Sequence, residues 1–199
     1  MAQGVIEMKV LLLGNGKDNP LKNLLLKHNC EVIETSLPLL SENVKKMKVD
    51  FLVSYCYQHI IKRDVLALFD KGKAINLHIS LLPYNRGSYP NLWSFLEKTP
   101  SGVSIYCIDE GIDTGDVLYQ EEMFFDIENE TLASSHDKLS KRIIDLFEAN
   151  IDDILNCRVK PAKQLGTSTS HKVKDRENYN CLLTKGWDTP VKDIWGKAL

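Results

Sequence analysis

Apolar residues along the chain gather into short runs broken by polar turns, and their spacing alternates between a strand-like and a helix-like period. Val5 to Leu13 is aliphatic and β-branched and closes on Gly14-Asn15-Gly16, which predicts a buried strand and a tight turn. Leucines at 21, 24, 25 and 26 predict a helix over residues 20–27 that packs on the sheet. Cys30 to Thr35 reads as a second strand, 38–47 as a weak helix or loop, and Asp50 to Tyr55 as a third strand. Apolar positions 65, 66, 68 and 69 predict a short helix over 64–69, Gly72 ends it, and Ala74 to Leu77 is the next strand. Such alternation predicts an α/β fold whose open, mostly parallel, doubly wound sheet has right-handed crossovers.

After His78 the pattern changes. Pro83 breaks the chain, 84–87 reads as a turn, and Leu92, Trp93, Phe95 and Leu96 mark a short helix over 91–96. Two strands follow, Gly102 to Ile108 and Val117 to Phe124, with no room for a crossover helix between them, so they are expected to be antiparallel neighbours. Thr131 is a suitable N-cap for one long amphipathic helix that runs to Leu155. Residues 161–171 are rich in turn formers and are expected to end the compact part. The chain therefore divides into a main domain, 1–155, and a C-terminal extension, 156–199. The aromatic extension, with Trp187 and Trp195, is expected to dock on the domain or on a partner subunit of a possible homodimer.

Composition narrows the class. With 199 residues, 43% hydrophobic and 26% charged, the chain suits one soluble globular domain. A net charge of -2 gives no broad basic footprint, which makes nucleic acid an unpromising partner. The five cysteines are odd in number and lack a CxxC, so reduced thiols in a cytoplasmic protein are expected, with neither a disulfide framework nor a zinc site. No signal peptide or membrane span is evident.

Candidate chemistry concentrates between Asn76 and Gln120. Asn76 and His78 end one strand two residues apart, so a persisting pleat turns both side chains the same way. Asp113 lies in the loop between the two antiparallel strands. An amide donor beside an imidazole suits acyl transfer, in which negative charge grows on a carbonyl oxygen and a proton moves. Asp113 then orients His78 or relays the proton. No serine or cysteine is placed as a nucleophile, which favours direct attack by the acceptor. A structural histidine and a simple Asx turn explain the same residues without chemistry. Metal ranks low, since His78 and Asp113 lack a third ligand. The Gly14-Asn15-Gly16 loop is either a phosphate contact or only a turn that needs glycine.

Taken in order, Asn76-Leu-His78, Ser80-Leu-Leu-Pro83, Arg86-Gly87, Gly102-Val-Ser-Ile and Asp109-Glu-Gly-Ile-Asp113-Thr-Gly-Asp116 resemble the 10-formyltetrahydrofolate-dependent formyltransferase superfamily. The resemblance covers residues from about 8 to 155. It implies a Rossmann-like catalytic domain in which Asn76 and His78 polarise the formyl group, Asp113 assists proton transfer and an amine attacks directly. It places the folate pterin between two loops, with Tyr55, Cys56, Tyr57 and Ile60 on one side. Ile108, Asp109, Gly111 and Ile112 stand on the other.

Pro83 to Trp93 and the tail look most like the N-formyltransferases of nucleotide-linked amino sugars, implying contacts from Gly14, Asn15, Arg86, Tyr89, Asn91, Trp93 and Tyr106 to such an acceptor. The Gly14-Asn15-Gly16 loop resembles the phosphate loop of phosphoribosylglycinamide formyltransferase, which is the alternative, although Tyr106 stands where that enzyme usually carries histidine. Methionyl-tRNA formyltransferase, which usually has a C-terminal barrel, and formyltetrahydrofolate hydrolase rank lower. A non-catalytic binding protein on this fold is expected to lose one of the three polar groups, and all three are present.

Overall fold

The computed structural model describes residues 8–198, so Val5 to Glu7 of the first predicted strand lie outside the described residues. The chain runs β1 (Met8–Leu13), α1 (Leu21–Lys27), β2 (Cys30–Thr35), α2 (Ser41–Met47), β3 (Phe51–Tyr55), α3 (Arg63–Leu66) and β4 (Ala74–His78). Next come β5 (Arg86–Gly87), α4 (Pro90–Leu96), β6 (Ser101–Cys107), β7 (Val117–Met123) and α5 (Leu132–Leu155). The tail adds β8 (Ser170–His171), two 3-10 turns at Val173–Tyr179 and Gly186–Asp188, and α6 (Val191–Ile194).

Six strands form one sheet in the order β2-β1-β3-β4-β6-β7. The first four are parallel, whereas β6 runs antiparallel to both β4 and β7. The pleat explains why the parallel strands read as continuous apolar runs. Val10 and Leu12 of β1 enter a core with Phe51, Val53, Ile75 and Leu77, covered by α1 and α5. Leu11 and Leu13 enter a second core with Leu52, Val44 of α2 and Val65 of α3. Both sheet faces are thus buried, as expected for a doubly wound sheet.

The long helix begins where Thr131 predicts. Its Oγ accepts the Ser134 N–H at 3.1 Å, while the Ser134 Oγ accepts the Thr131 N–H at 2.9 Å, a reciprocal capping box. No described helix is long and apolar enough to cross a membrane.

Two expectations need correction. Residues 84–87 do not form only a turn, because Arg86–Gly87 pairs in parallel with Ser170–His171. Residues 161–171 do not end the compact part either. Ala162 exchanges backbone hydrogen bonds of 2.8 Å with Val117 before the chain crosses to β5. Both pairings join segments far apart in sequence, where local patterning carries no signal. The remaining tail docks on this domain: Tyr179, Val191 and Ile194 bury themselves against Leu92, Trp93, Phe95 and Leu96 of α4 and against Leu132 of α5.

Candidate active site

Asn76 and His78 stand at the carboxyl end of β4, on the face opposite Ile75 and Leu77, which fill the core under α5. Across the antiparallel pairing, Tyr106 of β6 sits directly opposite Asn76 and Ser104 opposite His78. Directly opposed residues share a face, so the Tyr106 ring joins the same polar surface. Asp113 arrives from the β6–β7 loop in a left-handed conformation, φ 53°, which aspartate adopts more readily than most residues.

These side chains form one connected set. The Asn76 Nδ2 donates to the Tyr106 hydroxyl at 3.0 Å, and that hydroxyl donates to Asp113 Oδ1 at 2.5 Å. The second carboxylate oxygen accepts the Gly87 N–H at 2.7 Å and lies 3.4 Å from His78 Nε2. His78 and Asp113 are both mostly buried, with side-chain exposures of 11% and 13%. Burial, followed by the Asp113 charge, pushes the Tyr106 hydroxyl well above its ordinary pKa, so it stays a donor. Asn76 spends one amide N–H on Tyr106 and has a second to offer.

Supporting contacts hold the loops. Gly87 has φ 87°, and a Cβ there would sit 2.3 Å from the His171 carbonyl oxygen, so glycine lets β5 pass this close to β8 while its N–H reaches Asp113. Ser104 Oγ donates to the Ser80 carbonyl at 2.7 Å and accepts the Leu82 N–H at 3.1 Å. Gln120 Nε2 donates to the Leu82 carbonyl at 2.6 Å, fastening the segment after His78.

Gln164 was not anticipated. Its Nε2 donates to the Asp113 and Gly115 carbonyls at 2.9 and 2.7 Å, and its Oε1 accepts from the Arg86 guanidinium at 2.7 and 3.1 Å. It lies in a turn-rich stretch with neither periodicity nor motif to mark it. Arg86, expected near the acceptor, thereby reaches Gln164.

The expected folate loops divide. Ile108 and Asp109 line a cleft of about 260 Å³ together with Leu66, Phe69, Ala74 and Gly115. Asp109 Oδ1 shapes that loop by accepting the Gly111 N–H at 3.0 Å and the Thr114 hydroxyl at 2.6 Å. From the other loop, Tyr55 packs toward the core under α5, where burial first pushes its hydroxyl up to about 12. Cys56 is exposed, and Tyr57 donates to the Leu37 carbonyl at 2.7 Å. Ile60 and Ile112 are exposed by 76% and 57% at the two loop tips, and an ion pair of 3.0 Å between Arg63 and Glu110 brings these segments together.

Of the residues expected at the acceptor, Gly14 and Asn15 lie at the end of β1, and a Cβ on Gly14 would stand 3.9 Å from the Tyr55 carbonyl oxygen. Asn91 and Trp93 are each only 2% exposed; Asn91 Nδ2 donates to the Leu132 carbonyl and Trp93 stacks on His171. Tyr89 is half-buried and follows Gly87 by two residues.

Known proteins agree with this architecture. Residues 13–147 match the formyl transferase family. Methionyl-tRNA formyltransferase from Clostridium perfringens is 35% identical over 159 residues, 76% of this chain and 51% of that protein, so the chain spans about half the length of that curated relative. The crystal structure of the formyltransferase PseJ from Anoxybacillus kamchatkensis is 41% identical, with a TM-score of 0.90 over 96% of this chain and 100% of that one. It was determined with UDP-4,6-dideoxy-4-formamido-L-AltNAc and tetrahydrofolate. A 4-N formyltransferase from Francisella tularensis is 25% identical, with a TM-score of 0.74 over 86% of this chain and 78% of that one. The sheet order, the polar set on β4 and β6 and the match over residues 13–147 lead to one assignment: the chain belongs to the formyl transferase family.

Proposed function

We propose that this protein transfers a formyl group from 10-formyltetrahydrofolate to the amine of a nucleotide-linked deoxyamino sugar. The observation that carries the reading is the connected set Asn76–Tyr106–Asp113–His78, built on a frame that matches PseJ from end to end. The cleft beside Ile108 and Asp109 has Leu66, Phe69 and Ala74 in its lining together with Asp70, Lys71 and Lys163, a mixture of apolar and polar groups that supports binding of a flat ring with a donor and acceptor edge.

In this reading the acceptor's neutral amine attacks the formyl carbon. The free Asn76 N–H and the His78 ring stabilise the negative charge that develops on the formyl oxygen. Asp113, held by the Gly87 N–H and the Tyr106 hydroxyl, takes a proton from the attacking nitrogen. It passes that proton, with His78, to the departing folate nitrogen. The carbon–nitrogen bond to the acceptor forms as the bond to folate breaks, giving formamide and tetrahydrofolate.

Methionyl-tRNA is the second reading, favoured by the identity to the clostridial relatives. A direct test incubates the protein with 10-formyltetrahydrofolate and either a panel of nucleotide-linked amino sugars or charged initiator tRNA, following product mass. One formyl mass gained by a sugar, with tetrahydrofolate released in step, is the expected result. Release without any amine acceptor, or formylation of the tRNA alone, overturns it.

A further inference from the structure

Five buried side-chain polar atoms among the described residues have no hydrogen-bond partner, and they belong to one neighbourhood. Asn91 Oδ1, Trp93 Nε1 and Glu97 Oε2 come from α4 and its C-cap, while His171 Nε2 and Arg176 Nε come from the tail packed on it. His171 Nε2 is 3.1 Å from Glu97 Oε1, an ion-pair distance without hydrogen-bond alignment. Buried polar atoms are nearly always paired, so these five are free to pair with water or with a polar ligand.

Beside it stands an aromatic and cationic surface. The Arg176 guanidinium lies 5.3 Å from the Tyr89 ring centroid and 5.7 Å from that of Trp187, and those rings are 6.0 Å apart. Trp187 remains 39% exposed. Tyr89 is two residues from Gly87, whose N–H binds Asp113, and two residues span at most about 7 Å. The surface therefore begins within about 7 Å of the backbone that holds Asp113.

Charge points the same way. From Asn156 onward the chain carries nine Lys and Arg against four Asp and Glu, whereas residues 1–155 carry 16 against 23. A basic tail on an acidic domain draws an anion to this side.

We propose that Tyr89, Arg176 and Trp187 form the subsite for the nucleoside diphosphate end of the acceptor. The exposed part of the Trp187 ring, which Tyr89, Arg176 and His136 flank, stacks the base, and the Arg176 guanidinium pairs with a phosphate oxygen. This inference rests on the acceptor reading above and gives it a geometry: amine at Asp113, nucleotide at the tail.

The test titrates UDP into the full chain by calorimetry, using wild type, Arg176→Gln, Trp187→Ala and Trp187→Phe, each checked by thermal melting. UDP binds the wild type; Arg176→Gln and Trp187→Ala weaken it about tenfold or more, and Trp187→Phe restores part of the loss. With a formylated amino sugar in hand, the acceptor KM rises by a similar factor. The kcat and the KM for the formyl donor stay within about twofold. Equal UDP affinity in all four proteins overturns the subsite. So does a loss that tracks melting temperature and raises both KM values alike, which is the signature of a structural clamp. If no nucleotide sugar is formylated while UDP binding still depends on Arg176, the subsite stands and the acceptor reading falls. If formylation proceeds with an unchanged acceptor KM in the variants, the subsite alone falls.

Discussion

One oxygen, the Tyr106 hydroxyl, accepts from Asn76 and donates to Asp113, so it fixes two of the groups that the proposed mechanism uses. Removing it in Tyr106→Phe leaves the Asp113 carboxylate short of a donor and frees the Asn76 amide to rotate. A misplacement of this kind is expected to cost about 100-fold in kcat, measurable by acceptor-dependent tetrahydrofolate release. His78→Asn and Asp113→Asn remove a proton-handling group outright, and transfer is expected to slow by about 10²- to 10⁴-fold while circular dichroism stays unchanged. Near-normal turnover in either variant would sink the mechanism.

The tyrosine hydroxyls also predict a pH effect. Tyr106 and Tyr55 hold their protons more tightly when folded than the ordinary value of 10.0, principally because they are buried. The unfolded chain therefore loses those protons first. Stability is intact below pH 10 and falls as the pH climbs above it, and Tyr106→Phe should flatten that fall in alkaline denaturation curves.

At the scale of elements, short β5 controls the site more than its two residues suggest. Gly87→Ala would force a Cβ into the His171 carbonyl at a backbone angle that alanine resists, parting β5 from β8 and withdrawing the N–H from Asp113. Both melting temperature and kcat should drop. Thr131→Ala is the contrast: losing the cap of α5 costs about 1 kcal/mol and lowers the melting temperature by a few degrees, with kcat unmoved. A Gly87→Ala protein with full activity would show that the β5 amide is dispensable.

The parallel strands and α5 were legible because their burial is written in local periodicity: β2 spans the same residues as the predicted strand, and the capping box sits at Thr131. The polar trio was legible because Asn76 and His78 share one strand end. Tyr106 was read as an acceptor contact, and only the β4–β6 register shows it to be the link between Asn76 and Asp113. The β5–β8 pairing was not legible at all. It joins residues 84 positions apart through two-residue strands, too short for any alternation to show.

Across the whole molecule, the segment beyond Leu155 returns to the loop that carries Asp113. Gln164 bridges Arg86 to the Asp113 and Gly115 carbonyls, and His171 closes over Gly87, so the tail braces the β5 segment and the β6–β7 loop together. If the tail only covered hydrophobic surface, its polar contacts to this loop would be incidental. Gln164→Ala separates the two cases in the full chain, because it leaves the Tyr179, Val191 and Ile194 packing in place. A brace predicts a fall in kcat of about tenfold or more, since the Asp113 backbone is released, with a melting temperature only a few degrees lower. A mere cover predicts unchanged kcat. Arg86→Lys refines the outcome: its ammonium lacks the planar fork that meets Gln164 Oε1 with two N–H groups, so it should slow transfer in the same direction but by less. Activity that survives both substitutions would show that the Gln164 bridge does not position Asp113.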